Sequence, residues 1–315
     1  MLTRRELHRY GAALGLSLPA VATMIAAPSR AWAQAGGSAS SGAARTVKFP
    51  DGKVVPALGQ GSARLGQGRR PPPEEQEALR TGLSLGMTLI DTAELYGNGS
   101  AEKLIAGVIA GQRERVFVVS KVWPTHVAGD GIKRACEASL ARLGTDYVDL
   151  YLLHWPNGVR DYDHVVKEFE SLRAAGKIRA WGVSNFSVAQ MERLFHVPNG
   201  DRCVTNQVSY SLVDRGIERD LLPWCERHNV PVMAYSPLGG GDSNLFKDPA
   251  LAAIGAAHGC SAAAVALAWA IRSGMVIAIP ESGSAAHVKE NAVALTLTLT
   301  PEELQKLDAA HPRGR

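Results

Sequence analysis

A chain of 315 residues, 46% apolar and 20% charged, has the balance of a soluble globular protein and the length of one large domain or two small ones. The formal net charge of +4 sits largely at the start: without the four arginines and one acid of the first 33 residues it falls to +1, and no basic run or arginine-aromatic patch remains to bind nucleic acid. Cys136, Cys203, Cys225 and Cys260 lie far apart with no CxxC or Cys/His ligand spacing, which argues against a metal site and for buried thiols.

Residues 1–33 read as a targeting segment and are set aside from the fold. A basic start (Arg4, Arg5, Arg9) precedes an apolar stretch from Gly11 to Ala27 and a small-x-small cleavage signal at Ala31-Trp32-Ala33. Thr3-Arg4-Arg5-Glu6-Leu7 resembles the twin-arginine export motif. Glycine and proline interrupt the apolar stretch, so it is weak as a membrane span, and no stable membrane insertion is expected after cleavage. The expected location is periplasmic or otherwise exported; the alternatives are an uncleaved hydrophobic anchor and a cytoplasmic protein. Residues 34–45, small and polar without periodicity, read as a flexible linker.

Order is expected from Thr46, and residues 46–315 as a single domain. Thr46-Val47-Lys48-Phe49 and Lys53-Val54-Val55 flank Pro50-Asp51-Gly52, a β-hairpin about an Asp-Gly turn. Short apolar runs then alternate with helical stretches, the pattern of βα units on a parallel sheet. Strands are expected at Ala57–Gly59, Thr88–Ile90, Val116–Ser120, Val148–Leu153, Ala180–Val183, Val204–Asn206, Val232–Tyr235 and Val276–Ile279. Helices are expected around Glu75–Leu85, Ala101–Ala110, Gly131–Arg142, Asp163–Ala175, Val188–Phe195, Ile217–Arg227, Ala262–Ser273 and Ala285–Leu295, with a last one over Pro301–Ala310. Eight strands and eight helices in alternation fit a (β/α)8 TIM barrel, which takes about 250 residues, with the hairpin closing its bottom. A doubly wound open sheet is the rival; its glycine fingerprint is missing, because Gly59-Gln60-Gly61-Ser62-Ala63-Arg64-Leu65-Gly66 has the wrong spacing.

Barrel active sites lie at the C-terminal ends of the strands. Those ends carry Asp91 with Tyr96 in the following loop, Lys121-Val122-Trp123, His154-Trp155-Pro156, Ser184-Asn185, Gln207, Tyr235-Ser236-Pro237 and Pro280. Tyrosine is a poor acid unless tuned; a nearby lysine cation lowers its pKa, an aspartate keeps the lysine charged, and a histidine can bond a carbonyl oxygen. Together they make a proton donor for an alkoxide forming from a carbonyl. Singly, each has a structural explanation, as a turn cap, a rim aromatic, a solvated charge or a core histidine. Three consecutive strand ends carrying the set point to chemistry.

Leu89-Ile90-Asp91-Thr92-Ala93-Glu94-Leu95-Tyr96-Gly97, Ser120-Lys121-Val122-Trp123, Asp149-Leu150-Tyr151-Leu152-Leu153-His154-Trp155-Pro156, Gly182-Val183-Ser184-Asn185-Phe186 and Ala234-Tyr235-Ser236-Pro237-Leu238 resemble the signatures of the aldo-keto reductases, in family order from about Val47 to the C-terminus. Cys136-Glu137-Ala138-Ser139-Leu140 and Asp220-Leu221-Leu222-Pro223-Trp224-Cys225 are most similar to its bacterial aldehyde and methylglyoxal reductase branch. The resemblance implies an oxidoreductase that reduces small aldehydes or ketones, 2-oxoaldehydes among them, with NADP(H) or NAD(H). It implies Tyr96 as general acid/base, Asp91 and Lys121 tuning it, and His154 orienting the carbonyl. Ser184, Asn185 and Gln207 would hold the carboxamide, Tyr235 would stack under the ring, and Ser236, Pro237, Leu238 and Gly239 would track the pyrophosphate. The adenosine end would lie on Ile279, Pro280, Glu281, Ser282, His287, Glu290 and Asn291.

Two departures from the family pattern bear on specificity. Glu281 stands where a lysine usually binds the 2′-phosphate of NADP, and His287 where an arginine often stacks on adenine. A carboxylate repels phosphate and accepts a hydrogen bond from a free ribose hydroxyl, which shifts the expectation toward NAD or dual use; Ser282, His287 and Lys289 remain as phosphate partners. The sequence ends just after the helix at Pro301–Ala310, which predicts an open mouth lined by Trp123, Trp155 and the Gly61–Gln67 loop. A small carbonyl compound is the expected partner and a monomer the expected state. The other readings are an exported, non-enzymatic nicotinamide-binding sensor on the same barrel and, more weakly, a zinc-dependent barrel hydrolase, for which only His154 has a ligand-like setting.

Overall fold

A computed structural model describes residues 43–240 and 244–313. The leader at 1–33, the linker up to residue 42 and Gly241 lie outside the described residues. The hairpin forms as its sequence predicts: β1 (Thr46–Lys48) pairs antiparallel with β2 (Val54–Pro56), Val47 opposite Val55. Gly52 turns it at a φ of 91°, and the Lys53 N–H donates to the Asp51 carboxylate at 3.0 Å. Phe49 stacks on Phe117, ring centroids 5.9 Å apart, which sets the hairpin under the N-terminal end of the strand that Phe117 begins.

Eight parallel strands follow in chain order: β3 (Gln60–Gly61), β4 (Leu89–Asp91), β5 (Phe117–Val122), β6 (Val148–Leu153), β7 (Ile178–Ser184), β8 (Asn206–Ser209), β9 (Val232–Tyr235) and β10 (Val276–Ala278). The sheet closes on itself where residues 57–61 run along β10. The Ala278 N–H donates to Ala57 O, and the N–H groups of Gly59 and Gly61 donate to Ala278 O and Pro280 O, all within 3.0 Å. A closed parallel sheet with strands buried on both faces and helices outside is the (β/α)8 barrel.

Helices α1 (Pro72–Ser84), α2 (Ser100–Ile109), α3 (Gly131–Leu143), α4 (Tyr162–Ala174) and α5 (Val188–Phe195) fall within a few residues of expectation. Two corrections apply on the second half. The expected helix Ile217–Arg227 is a 3₁₀ turn at Gly216–Glu218 and a separate α6 (Leu221–Arg227), restarted by the Asp220 carboxylate on the Leu221 N–H. The strict alternation is also broken, because α7 (Pro249–His258) precedes the barrel helix α8 (Ala262–Ala270). Asp248 caps it, Pro249 opens it and Gly259 ends it in the left-handed conformation, local signals of the usual kind. The chain finishes with α9 (Ala285–Ala292) and α10 (Pro301–Ala310). Among the described residues no single helix is long and apolar enough to cross a membrane.

Candidate active site

The C-terminal strand ends bring Asp91, Tyr96, Lys121 and His154 into one cluster, each buried. Asp91 closes β4, Lys121 lies in β5 and His154 follows β6, its N–H donating to Val122 O at 3.0 Å. Tyr96 stands in the loop after β4, where Gly97 and Asn98 adopt positive φ and turn the chain back into α2. Ala93, Tyr96 and Ala101 pack together behind the ring with Ala63.

The Lys121 ammonium commits all three of its donors: to Asp91 Oδ2 at 2.7 Å, to Thr92 O at 2.8 Å and to the Tyr96 hydroxyl oxygen at 3.2 Å. The Gln207 amide donates to the other carboxylate oxygen, Asp91 Oδ1, at 2.8 Å. Burial raises the Asp91 pKa and lowers that of Lys121, but each partner opposes the shift in the other, and the Gln207 amide favours the ionised carboxylate.

Tyr96 corrects an expectation. Lys121 lies on its oxygen as predicted, yet the pKa is raised well above 10: burial is the largest cause, and Asp91, Glu281 and Tyr235 add to it. A lysine already bound to an aspartate presents little net field to the phenol, so the desolvation of a buried phenolate prevails. Burial also lowers the His154 pKa well below 6.5, with Lys121 acting in the same direction, so the imidazole is neutral. His154 Nδ1 is buried without a hydrogen-bond partner, while the edges of Tyr96 and Trp123 meet the imidazole at centroid distances of 5.7 and 5.3 Å.

Beside the cluster runs a second chain of contacts. Ser184 Oγ donates to Gln207 O, Asn185 Nδ2 to His154 O and Ser184 Oγ, and the Tyr235 hydroxyl to Asn185 Oδ1 at 2.9 Å. Asn185 and Ser236 both hold positive φ, which turns the Asn185 amide and the chain after Tyr235 out of the strand direction. Gln207, expected on the carboxamide, is tied to Asp91 through its amide nitrogen and so couples the two networks. Trp123 and Trp155 are half-buried on the loops that follow β5 and β6, at the same mouth.

The seam between β3 and β10 continues outward into a cleft of about 660 Å³, where the loop after β3 faces the segment Glu281–Ser284 and His287. Glu281 is engaged there: Arg64 donates to it from its backbone N–H at 2.7 Å and from Nε at 2.9 Å. The carboxylate expected to disfavour a phosphate is thus ion-paired with an arginine. Ser282 Oγ is turned onto its own loop, bonding Ser284, whereas His287 and Glu290 are exposed and Asn291 is buried. Arg69 and Arg70 on the facing wall were not among the residues the sequence pointed to, and Arg64 only as part of the Gly61–Gln67 loop expected at the mouth, since its partner is 217 residues away. A half-buried aromatic, a fixed amide and a buried acid/base cluster share one mouth of the barrel with an outer cleft lined by both arginines and glutamates, groups that could hold a dinucleotide.

Residues 57–312 match the model of the aldo/keto reductase family. The chain belongs to the aldo/keto reductase family. It is 48% identical to methylglyoxal reductase YeaE of Escherichia coli over 271 residues, 85% of this chain and 95% of that one. Glyoxal reductase of Bacillus subtilis is 34% identical over 270 residues, 86% and 94% of the two chains. Among solved structures, an aldo/keto reductase of Klebsiella pneumoniae in complex with NADP and acetate superposes with a TM-score of 0.83 at 45% identity, covering 86% of this chain and 97% of that one. Another structure of a Klebsiella pneumoniae aldo-keto reductase holds NADPH and matches equally well in fold and identity. This aldo/keto reductase is accordingly a nicotinamide-dependent oxidoreductase. Among its described residues no group of three or more His, Cys, Asp or Glu side chains could hold a metal ion.

Proposed function

We propose that the protein reduces small aldehydes, with 2-oxoaldehydes such as methylglyoxal as the favoured class, and that Tyr96 is the proton donor. The observation that carries this reading is the direction of the bond between Lys121 and Tyr96. Because the ammonium donates to the phenol oxygen, the Tyr96 proton is not used within the cluster and is available to a substrate oxygen. When bound, reduced nicotinamide supplies the hydride to the carbonyl carbon. Tyr96 passes its proton to the carbonyl oxygen as negative charge develops there, and the Lys121 N–H stabilises the phenolate left behind. Neutral His154 offers a ring N–H to the same oxygen and orients it toward Tyr96. Asn185 and Tyr235 form the bed on which the reacting ring lies. The relatives named for methylglyoxal and glyoxal reduction support the small-dicarbonyl class.

Purified protein is expected to consume NADPH on addition of methylglyoxal. Tyr96→Phe should lower kcat by roughly a hundredfold or more while dinucleotide binding persists. A Tyr96→Phe enzyme of undiminished kcat would remove the tyrosine from the chemistry, and tight dinucleotide binding with no turnover in the unaltered protein would favour the sensor reading. The twin-arginine-like start and the small-x-small site support a second proposal, that the protein is exported in folded form.

A further inference from the structure

We propose that Glu94 is a positioning residue for carbonyl reduction: with His126 it clamps the loop after β5, so that the Trp123 indole holds the His154 imidazole toward the substrate oxygen. The proposal rests on the reductase reading above and extends the site to a residue outside the four-membered cluster.

The parallel ladder between β5 and β6 ends at the pair Val122 and Leu153, and the Val122 carbonyl accepts the His154 N–H. The next donor along the chain, the Trp123 N–H, lies past that last pair. It donates to Glu94 Oε1 at 2.6 Å. The same oxygen accepts from His126 Nδ1 at 2.9 Å, and the His126 N–H closes the turn onto Trp123 O at 2.9 Å. One carboxylate oxygen therefore holds both ends of the turn that runs from Trp123 to His126. Glu94 is placed in its own right, three residues after Asp91, with its N–H donating to Lys121 O at 3.4 Å. The loop that carries Tyr96 and the loop that carries Trp123 are thus tied twice, through backbone and through side chain. The Glu94 side chain is 11% exposed against 51% for His126, so the bond to the Trp123 N–H is shielded and stronger than a surface contact.

The clamp matters because of how His154 is held. Its Nδ1 is buried without a hydrogen-bond partner, so packing must supply the orientation that a bond at that nitrogen would otherwise give. Two rings supply it, Tyr96 and Trp123, each edge-on to the imidazole. Tyr96 is fixed by Lys121 and by the small residues behind its ring. Trp123 is half-buried on a loop, and Glu94 fixes the backbone from which its indole projects. Loosening Trp123 therefore reaches the carbonyl oxygen through His154, and misplacing such a group by about 1 Å lowers a rate by up to roughly a hundredfold.

The test is steady-state reduction of methylglyoxal with NADPH by the purified full-length protein and its variants, alongside NADPH binding and tryptophan emission. Glu94→Ala is expected to lower kcat roughly tenfold, while KM for methylglyoxal and the NADPH dissociation constant each move less than about threefold. Glu94→Gln keeps an acceptor oxygen for the Trp123 N–H and should recover most of the rate. His126→Ala, at an exposed position, should lower kcat only about two- to threefold. A double-mutant cycle decides the route: in a Trp123→Ala background, Glu94→Ala should cost less than about twofold more, because the clamp then has no indole to place. Additive losses of kcat in that cycle would separate Glu94 from Trp123 and overturn the proposal. A loss confined to KM, the mark of a pocket wall, would overturn it too, as would undiminished kcat in Glu94→Ala. Emission gives a readout apart from turnover: Glu94→Ala should change it, and the change should vanish when Trp123→Phe is also present. Should the unaltered protein bind NADPH and reduce no aldehyde, the reductase reading itself fails, a result distinct from turnover that Glu94 does not influence.

Discussion

The Tyr96 hydroxyl and the His154 imidazole are shifted away from neutrality in opposite directions, and the pH dependence of the reaction follows from the two signs. Reduction uses the protonated phenol, and a pKa raised well above 10 keeps it protonated throughout the working range. His154 acts as a neutral donor, and a pKa well below 6.5 keeps it uncharged as the medium is acidified. The kcat/KM for aldehyde reduction is therefore expected to be flat between about pH 6 and 9, whereas alcohol oxidation, which needs the phenolate, should rise with pH across the same interval. A reduction profile with a limb near 6.5 would show that the histidine titrates. The meeting of these residues was legible in the sequence because each lies at or just beyond a strand end, and strand ends meet in a barrel whatever the spacing between them. What could not be read was the balance between burial and the lysine, since desolvation depends on packing from several elements at once.

At the scale of elements, the seam between β3 and β10 brings two backbones close together beside the site. A Cβ on Gly61 would lie 2.8 Å from Ile279 O, and one on Gly59 would lie 3.0 Å from Leu89 O. Gly61 is therefore explained by closure of the barrel, and Gly59 by its approach to β4. Gly61→Ala must move backbone rather than a side-chain tip, so a loss of about 1–3 kcal/mol is expected in chemical denaturation, together with weaker NADPH binding because Arg64 and Glu281 ride on the displaced ends. Unchanged stability and affinity in that variant would mean that the seam is soft. Most strands and helices were legible from alternation of apolar runs and caps. The helix at Pro249–His258 escaped because PALAAIGAAH shows little contrast between faces, although Asp248, Pro249 and Gly259 mark both of its ends. Arg64 escaped for a different reason, since its pairing with Glu281 exists only once the first and last strands have met.

For the molecule as a whole, the N-terminal Arg4-Arg5 pair is expected to govern where the protein resides. Replacing both arginines by lysine should leave the protein in the cytoplasm, measured by fractionation against a periplasmic marker; export of the double variant at the normal rate would sink the twin-arginine assignment. The hairpin under the barrel bears on what that retained protein can do. Arg45 is fastened at the foot, its N–H on Leu295 O and its guanidinium on Ala294 O and Leu297 O, and β1 leads from there to the face opposite the mouth. Arg45 therefore lies at the opposite end of the barrel axis from the strand ends that carry Asp91, Tyr96, Lys121 and His154. A precursor that keeps its leader should turn over aldehydes as fast as the trimmed form, so removal of the leader would decide the protein's address and leave its competence unchanged.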